Sequence, residues 1–304
     1  MCNIIKNRLC ILFSLLFIFT VSHNSLAQIK EIEEMWKNQV ESDTSKITLK
    51  KPVYLKISEN EVLNLFNRQP SFGMYRDNYI ITGIPIGKEI NRFTTDVKFQ
   101  ISIQQRLTKS VLPLKSFLML TYTQKSFWDL YADSAPFTDN NYNPGLTLVK
   151  PIISKEKLRG MALFALEHES NGKDSTDSRS TNYFVLTGIY FFNESISVQG
   201  KLWAGWLGNE NKDLYSKYRG YGLFVLNYRS IKDKFWISAV INPRGKIGNF
   251  NTQLELNFKL HPKENQYFFI QWYNGYGESM IKYKQYTSML RIGICMKPPL
   301  RNLY

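Results

Sequence analysis

Apolar and polar residues take turns along most of this chain. In "VKFQISI" (97–103), Val97, Phe99, Ile101 and Ile103 share one face, and Lys98, Gln100 and Ser102 the other. "TQLELNFKL" (252–260) sets Leu254, Leu256, Phe258 and Leu260 against Gln253, Glu255, Asn257 and Lys259, and "ISVQGKLWAGW" (196–206) repeats the pattern. A period of two is the signature of strands with one apolar and one polar face. Breaks rich in turn residues separate such segments: "NPG" (143–145), "GNENKD" (208–213) and "NPRGKIGN" (242–249). Residues 28–92 fit less well. They open on a helix-like "IKEIEEMW" and read as a lead-in segment at the periplasmic end of whatever the strands build.

The strands predict an all-β chain, either a soluble sandwich or a transmembrane antiparallel β-barrel. Beyond the N-terminal segment, no apolar run reaches the roughly 18 residues that a spanning helix needs. Three features favour the barrel. Aromatic residues make up 14% of the chain and cluster in "YTQKSFW", "YFF" and "QYFFIQWYNGY", as the interfacial girdles of membrane barrels do. The apolar faces run about five residues deep, enough for a tilted membrane strand. The chain also ends on an aromatic residue, Tyr304, shortly after the strand-like "MLRIGICM".

The N-terminus agrees with export. Lys6 and Arg8 precede the apolar "ILFSLLFIFTV", and Ser25-Leu26-Ala27 supplies a small-residue cleavage site, so residues 1–27 read as a signal peptide. Its removal takes away Cys2 and Cys10 and leaves Cys295 alone, which excludes an internal disulfide. The formal charge of +14 falls to +12 with Lys6 and Arg8, an excess that suits anionic phosphate surfaces. For an exported protein that surface is lipid, not nucleic acid.

Candidate chemistry centres on "EHESNGKDSTDSRSTN" (167–182). Strand parity in "RGMALFALEHES" puts the charged Arg159, Glu167 and Glu169 on the lumen face. His168 and Ser170 then continue the outward row of Ala162, Phe164 and Leu166, about 7 Å apart along the strand. The chain turns through "NGKDSTDSRST" and returns, so a hairpin brings Asn182 beside His168. Polar groups facing lipid are expensive without a task. A serine activated by a histidine that an amide oxygen holds in place is the logic of acyl transfer. On spacing alone, a His-x-Ser pair is more often a solvated loop feature.

"HESNGKDSTDSRSTNYF" resembles the signature of the bacterial outer-membrane phospholipase A family, His-x-Ser-Asn-Gly followed by Ser-Arg-Ser-x-Asn. "YTQKSFWDL", "SAPFTDNNYNP" and "YNGYGESMIKY" match further blocks, in order from about Tyr75 onward. The resemblance implies a barrel of about twelve strands over 93–304 in the outer membrane. It implies calcium-dependent hydrolysis of phospholipid acyl esters, A1 and A2 in type and on lysophospholipids too, by an enzyme active as a homodimer. By position it makes His168 the base, Ser170 the nucleophile and Asn182 the orienter of the imidazole. The Gly172 N–H would serve the oxyanion. Calcium would be held by the Ser178 hydroxyl, the Lys173 carbonyl and a Ser134 carbonyl from a second subunit. Ser175 stands where the family often has aspartate, which removes support for a carboxylate-based second calcium site. Outside the motif, Gln124 and Lys125 are expected in the lumen, Glu278 as a lumen ion-pair partner, and Asp129, Asp133 and Asp139 as exposed loop acids. The competing reading is a passive porin or a catalytically dead barrel, which would gain nothing from the outward trio.

Overall fold

The structure is a computed structural model. It describes residues 59–298 apart from 111, 156, 207–213, 246–247 and 263, together with Tyr304. The expected signal peptide and the "IKEIEEMW" segment lie outside the described residues.

Among the described residues, thirteen strands follow the helix α1 (Glu59–Arg68): β1 (Phe72–Met74), β2 (Asn78–Pro85), β3 (Asp96–Arg106), β4 (Phe117–Trp128), β5 (Phe137–Ser154), β6 (Lys157–Ser170), β7 (Ser180–Phe191), β8 (Ile196–Trp206), β9 (Gly222–Arg229), β10 (Phe235–Pro243), β11 (Phe250–Lys259), β12 (Gln266–Gly275) and β13 (Thr287–Met296). From β2 onward each strand pairs antiparallel with the next in sequence, and β13 returns to β2, with Ile292 opposite Thr82. Twelve strands therefore close a barrel. The short β1 continues the line of β2 along β3, with Phe72 opposite Gln105. Closure leaves no unpaired edge, the condition for strands to cross lipid. Among the described residues no helix is long and apolar enough to span a membrane. The barrel begins at β2, upstream of the boundary expected at 93, because "NYIITGIP" alternates like the strands after it.

Parity sorts the two faces as the sequence implied. Leu290, Ile292 and Ile294 on β13 are exposed outside, whereas Arg291 and Cys295 are buried inside. Some expectations fail. "NPG" (143–145) is no turn but lies within the 18-residue β5, its ladder register resuming at Gly145 opposite Glu167. Gln124 faces outward, opposite Ile101, while Lys125 alone points to the lumen. Gln124 shares its face with Leu118, Leu120 and Tyr122, and its amide is satisfied locally by the Tyr122 hydroxyl at 2.9 Å and the Ser126 hydroxyl at 3.1 Å.

The two ends of the barrel differ. One carries short turns, such as 192–195 between β7 and β8; the other carries longer loops, including 171–179 and 276–286. Barrels of this kind place short turns in the periplasm and long loops outside, so the 171–179 hairpin lies at the extracellular end. At the short-turn end, Val62, Leu63 and Phe66 of α1 bury against Phe117, Met119, Val149, Met161, Leu163 and Ile189. Each such side chain contributes about 1.5–3 kcal/mol if withdrawn from water. Arg106 donates to the Phe66, Asn67 and Gln69 carbonyls, which satisfies the open C-terminus of the helix.

The lumen is a network of ion pairs. Arg291 grips both Asp96 oxygens, at 2.8 and 2.7 Å, and Glu278 at 2.8 Å. Lys98 reaches Glu278 at 2.8 Å and Gln271 at 2.7 Å, and Gln271 passes to Glu255 at 3.1 Å. Glu278 is thus the lumen ion-pair partner that the sequence suggested. Tyr304 also lies here, its hydroxyl donating to Glu255 at 2.5 Å. Glu255, Glu278 and Tyr304 help to line a lumen cavity of about 200 Å3. Asp139, expected as an exposed loop acid, is buried inside, accepting from Ser279, Asn141 and the Ile281 N–H. It shares the lumen face of β5 with Asn141. Asp133 is exposed and pairs with Arg92 at 2.6 Å.

Candidate active site

The β6–β7 hairpin sets the site. Its register pairs Glu167 with Tyr183, His168 with Asn182 and Ser170 with Ser180. His168, Ser170 and Asn182 are all half-buried on the outer face, while their neighbours Glu167, Glu169 and Thr181 are buried inside. The inward acids anchor the strand: Glu169 accepts from Arg219 at 2.7 Å and Tyr183 at 3.0 Å, and Glu167 faces Arg76 at 3.5 Å and Lys201 at 3.7 Å. Charge inside holds the histidine row outside.

His168 Nδ1 lies 2.8 Å from Asn182 Oδ1. With the amide oxygen turned to it, Nδ1 carries the proton and Nε2 keeps its lone pair. Among the described residues neither His168 Nε2 nor the Ser170 hydroxyl makes a hydrogen bond. Below them on the outer wall, Phe164 and Phe184 stack with centroids 6.0 Å apart, and Leu166 continues the apolar row.

The loop beyond the strand is built around Asn171. Its N–H donates to the Arg179 carbonyl at 3.0 Å and its side-chain amide to the Asp177 carbonyl at 2.8 Å. Its Oδ1 accepts the Arg179 N–H at 2.9 Å. Gly172 follows at φ +65°, where a Cβ would meet the Tyr142 ring at 2.8 Å, so glycine is required on both counts. The Gly172 N–H has no acceptor among the described residues. Asn171 and Tyr142 were not singled out from sequence. The Asn in "HESNG" was a signal, but nothing in the sequence places Tyr142 against Gly172.

Ser178 and Lys173 share this loop, and Ser134 lies in the exposed 129–136 loop at the same end of the barrel. The Ser178 hydroxyl and the Lys173 carbonyl make no hydrogen bond among the described residues. No group of three His, Cys, Asp or Glu side chains that could hold a metal occurs among them. The available donors are a hydroxyl and carbonyl oxygens, hard ligands that suit calcium and need further oxygens to complete its shell. Asn143, read from the sequence only as part of a turn, donates its amide to the His168 carbonyl at 3.0 Å.

A closed antiparallel barrel, apolar outside and ionic inside, defines an integral outer-membrane protein of Gram-negative bacteria. Its outer wall carries a hydrogen-bonded histidine where a porin needs none. Comparison with known proteins narrows the class. The family model described as phospholipase A1 matches residues 34–296. Phospholipase A1 of Escherichia coli strain K12 is 32% identical over 212 residues, covering 66% of this chain and 69% of that protein. That of Proteus vulgaris is also 32% identical, over 211 residues with the same coverage. Among solved structures, outer membrane phospholipase A from Escherichia coli superposes with a TM-score of 0.66 at 26% identity, covering 77% of this chain and 100% of that one. The Salmonella typhi outer membrane phospholipase dimer with bound calcium gives 0.66 at 25% identity, with coverages of 78% and 96%. The chain belongs to the phospholipase A1 family and is an outer-membrane phospholipase.

Proposed function

We propose that the chain hydrolyses the acyl esters of phospholipids at both A1 and A2 positions, and of lysophospholipids, with His168, Ser170 and Asn182 as its triad. The observation that carries this reading is the 2.8 Å contact from His168 Nδ1 to Asn182 Oδ1 on the lipid-facing wall, beside an unengaged Ser170 hydroxyl. Ser170 Oγ attacks the ester carbonyl carbon while its proton passes to His168 Nε2. The Gly172 N–H donates to the oxyanion of the tetrahedral intermediate. Collapse breaks the ester bond, and the leaving alcohol takes the proton from Nε2. Water then attacks the acyl-serine, again through His168, and the fatty acid leaves. Asn182 keeps the imidazole in the tautomer that both steps need. The apolar row of Phe164, Leu166 and Phe184 gives an acyl chain a wall to lie against.

Calcium fits this scheme through the Ser178 hydroxyl, the Lys173 carbonyl and a Ser134 carbonyl from a second copy of the chain. The family's Salmonella typhi member, a dimer with bound calcium, supports that reading. Bound there, the ion supplies positive charge that favours the oxyanion near the Gly172 amide. A shell split between two subunits couples metal to assembly by mass action, so the active form is the homodimer. The primary test is Ser170→Ala, which abolishes hydrolysis in a refolded barrel; retention of substantial activity removes Ser170 from its role. For calcium, Ser178→Ala weakens metal dependence and dimerisation together, as read by cross-linking in detergent across a calcium titration. A dimer fraction indifferent to calcium, with activity still dependent on it, would place the metal within one subunit.

A further inference from the structure

β5 carries Pro144 in mid-strand, where a ladder needs an N–H. The register pairs Tyr142 with Ser170 and Gly145 with Glu167, which sets Pro144 opposite His168. The His168 carbonyl points towards β5, since the Asn143 amide donates to it at 3.0 Å. In a regular ladder the residue opposite would make that bond with its backbone N–H. Proline has none, and the side chain of its neighbour takes the place of the missing donor. Without it, a strand carbonyl beside the lipid boundary would be left unpaired, which is costly where water cannot replace the partner.

The same peptide orientation governs the other side of β6. Because the His168 carbonyl faces β5, the His168–Asn182 pair with β7 is of the non-hydrogen-bonded kind, in which Cα atoms approach to about 4.5 Å and side chains are closest. That close pairing is what allows Nδ1 to reach Asn182 Oδ1 at 2.8 Å. We propose that Asn143 is a positioning residue: it replaces the hydrogen bond that Pro144 cannot make, and so fixes the His168 peptide and the reach of its imidazole to Asn182. This rests on the reading of His168 as the base. Asn143 touches no reacting atom.

The test is steady-state kinetics on a micellar phospholipid with calcium, using heat-modifiable gel mobility to confirm the folded barrel. Asn143→Leu lowers kcat about tenfold and leaves KM within about twofold, because orientation of the base matters in the transition state and not in lipid binding. Adding Pro144→Ala to Asn143→Leu supplies a backbone N–H at the required place and returns kcat to within about threefold of the parent. A merely structural role would not give that rescue. The double variant also covers the case in which Asn143→Leu alone does not fold: a folded, active double variant supports the proposal, and a folded but slow one overturns it. Asn143→Leu with the parental kcat overturns it as well. Ser170→Ala in the same assay separates the two ideas. Inactive Ser170→Ala beside an unaffected Asn143→Leu sinks only the positioning role, whereas an active Ser170→Ala sinks the catalytic reading beneath it.

Discussion

The inner and outer faces of the barrel both carry polar groups, and they use them in opposite ways. Inside, Arg291, Glu278, Asp96 and Lys98 share short contacts on nearly every side. Outside, His168 engages Asn182 through one ring nitrogen and leaves the other open, and the Ser170 hydroxyl makes no hydrogen bond among the described residues. A saturated polar cluster in a low-dielectric interior specifies the fold and resists change. A half-open one at the lipid boundary, held from behind by Glu167 and Glu169, offers valences to a substrate. The contrast separates groups that hold the barrel from groups that react.

Substitutions on the two faces should therefore fail differently. The largest expected effect is on the outer face: Ser170→Ala lowers turnover by roughly four to six orders of magnitude with the folded barrel intact, measured by fatty-acid release. Next is the inner face. Glu278→Leu strips Lys98 and Arg291 of a shared carboxylate, and breaking such a buried pair costs about 3–5 kcal/mol. Urea unfolding in detergent should register that loss, with activity per folded molecule little changed. A Glu278→Leu barrel as stable as the parent would break the comparison. Asn182→Ala is milder than either, lowering kcat about ten- to a hundredfold, because a neutral orienter contributes less than the nucleophile. A folded but fully inactive Asn182→Ala would contradict that order.

The smallest effect is the acid response of the interior. Burial alone would raise the Glu278 carboxyl, but the Arg291 guanidinium and the Lys98 ammonium outweigh it and hold it at about 2, below its ordinary 4.5. A depressed carboxyl contributes stability that is full above the unfolded value and lost as pH falls through the folded one. Unfolding free energy should therefore fall between about pH 4.5 and 2 in the parent and more shallowly in Glu278→Gln. Identical slopes would mean that Glu278 does not carry the linkage.

The alternation in 97–103 and 252–260, and the parity of "RGMALFALEHES", were enough to read a barrel and to put His168 and Ser170 outside with Asn182 beside them. The period of two acts locally: each side chain's face follows from its neighbours, and any register that inverted it would bury the charges in lipid. Expecting both Gln124 and Lys125 in the lumen broke that same rule, since adjacent strand residues face opposite ways, and Gln124 turns outward. "NPG" misled because proline and glycine usually break a strand, and only the neighbouring β6 shows that Asn143 makes good the missing N–H. Asp139 likewise becomes an interior group only through Ser279 and the Ile281 N–H, 140 and 142 residues away in sequence. Sequence alone determined which residues share a face, because that depends on backbone geometry within a strand. Tertiary structure decided which face meets which partner, because closure of the barrel joins β13 to β2 and brings Arg291 to Asp96, 195 residues apart.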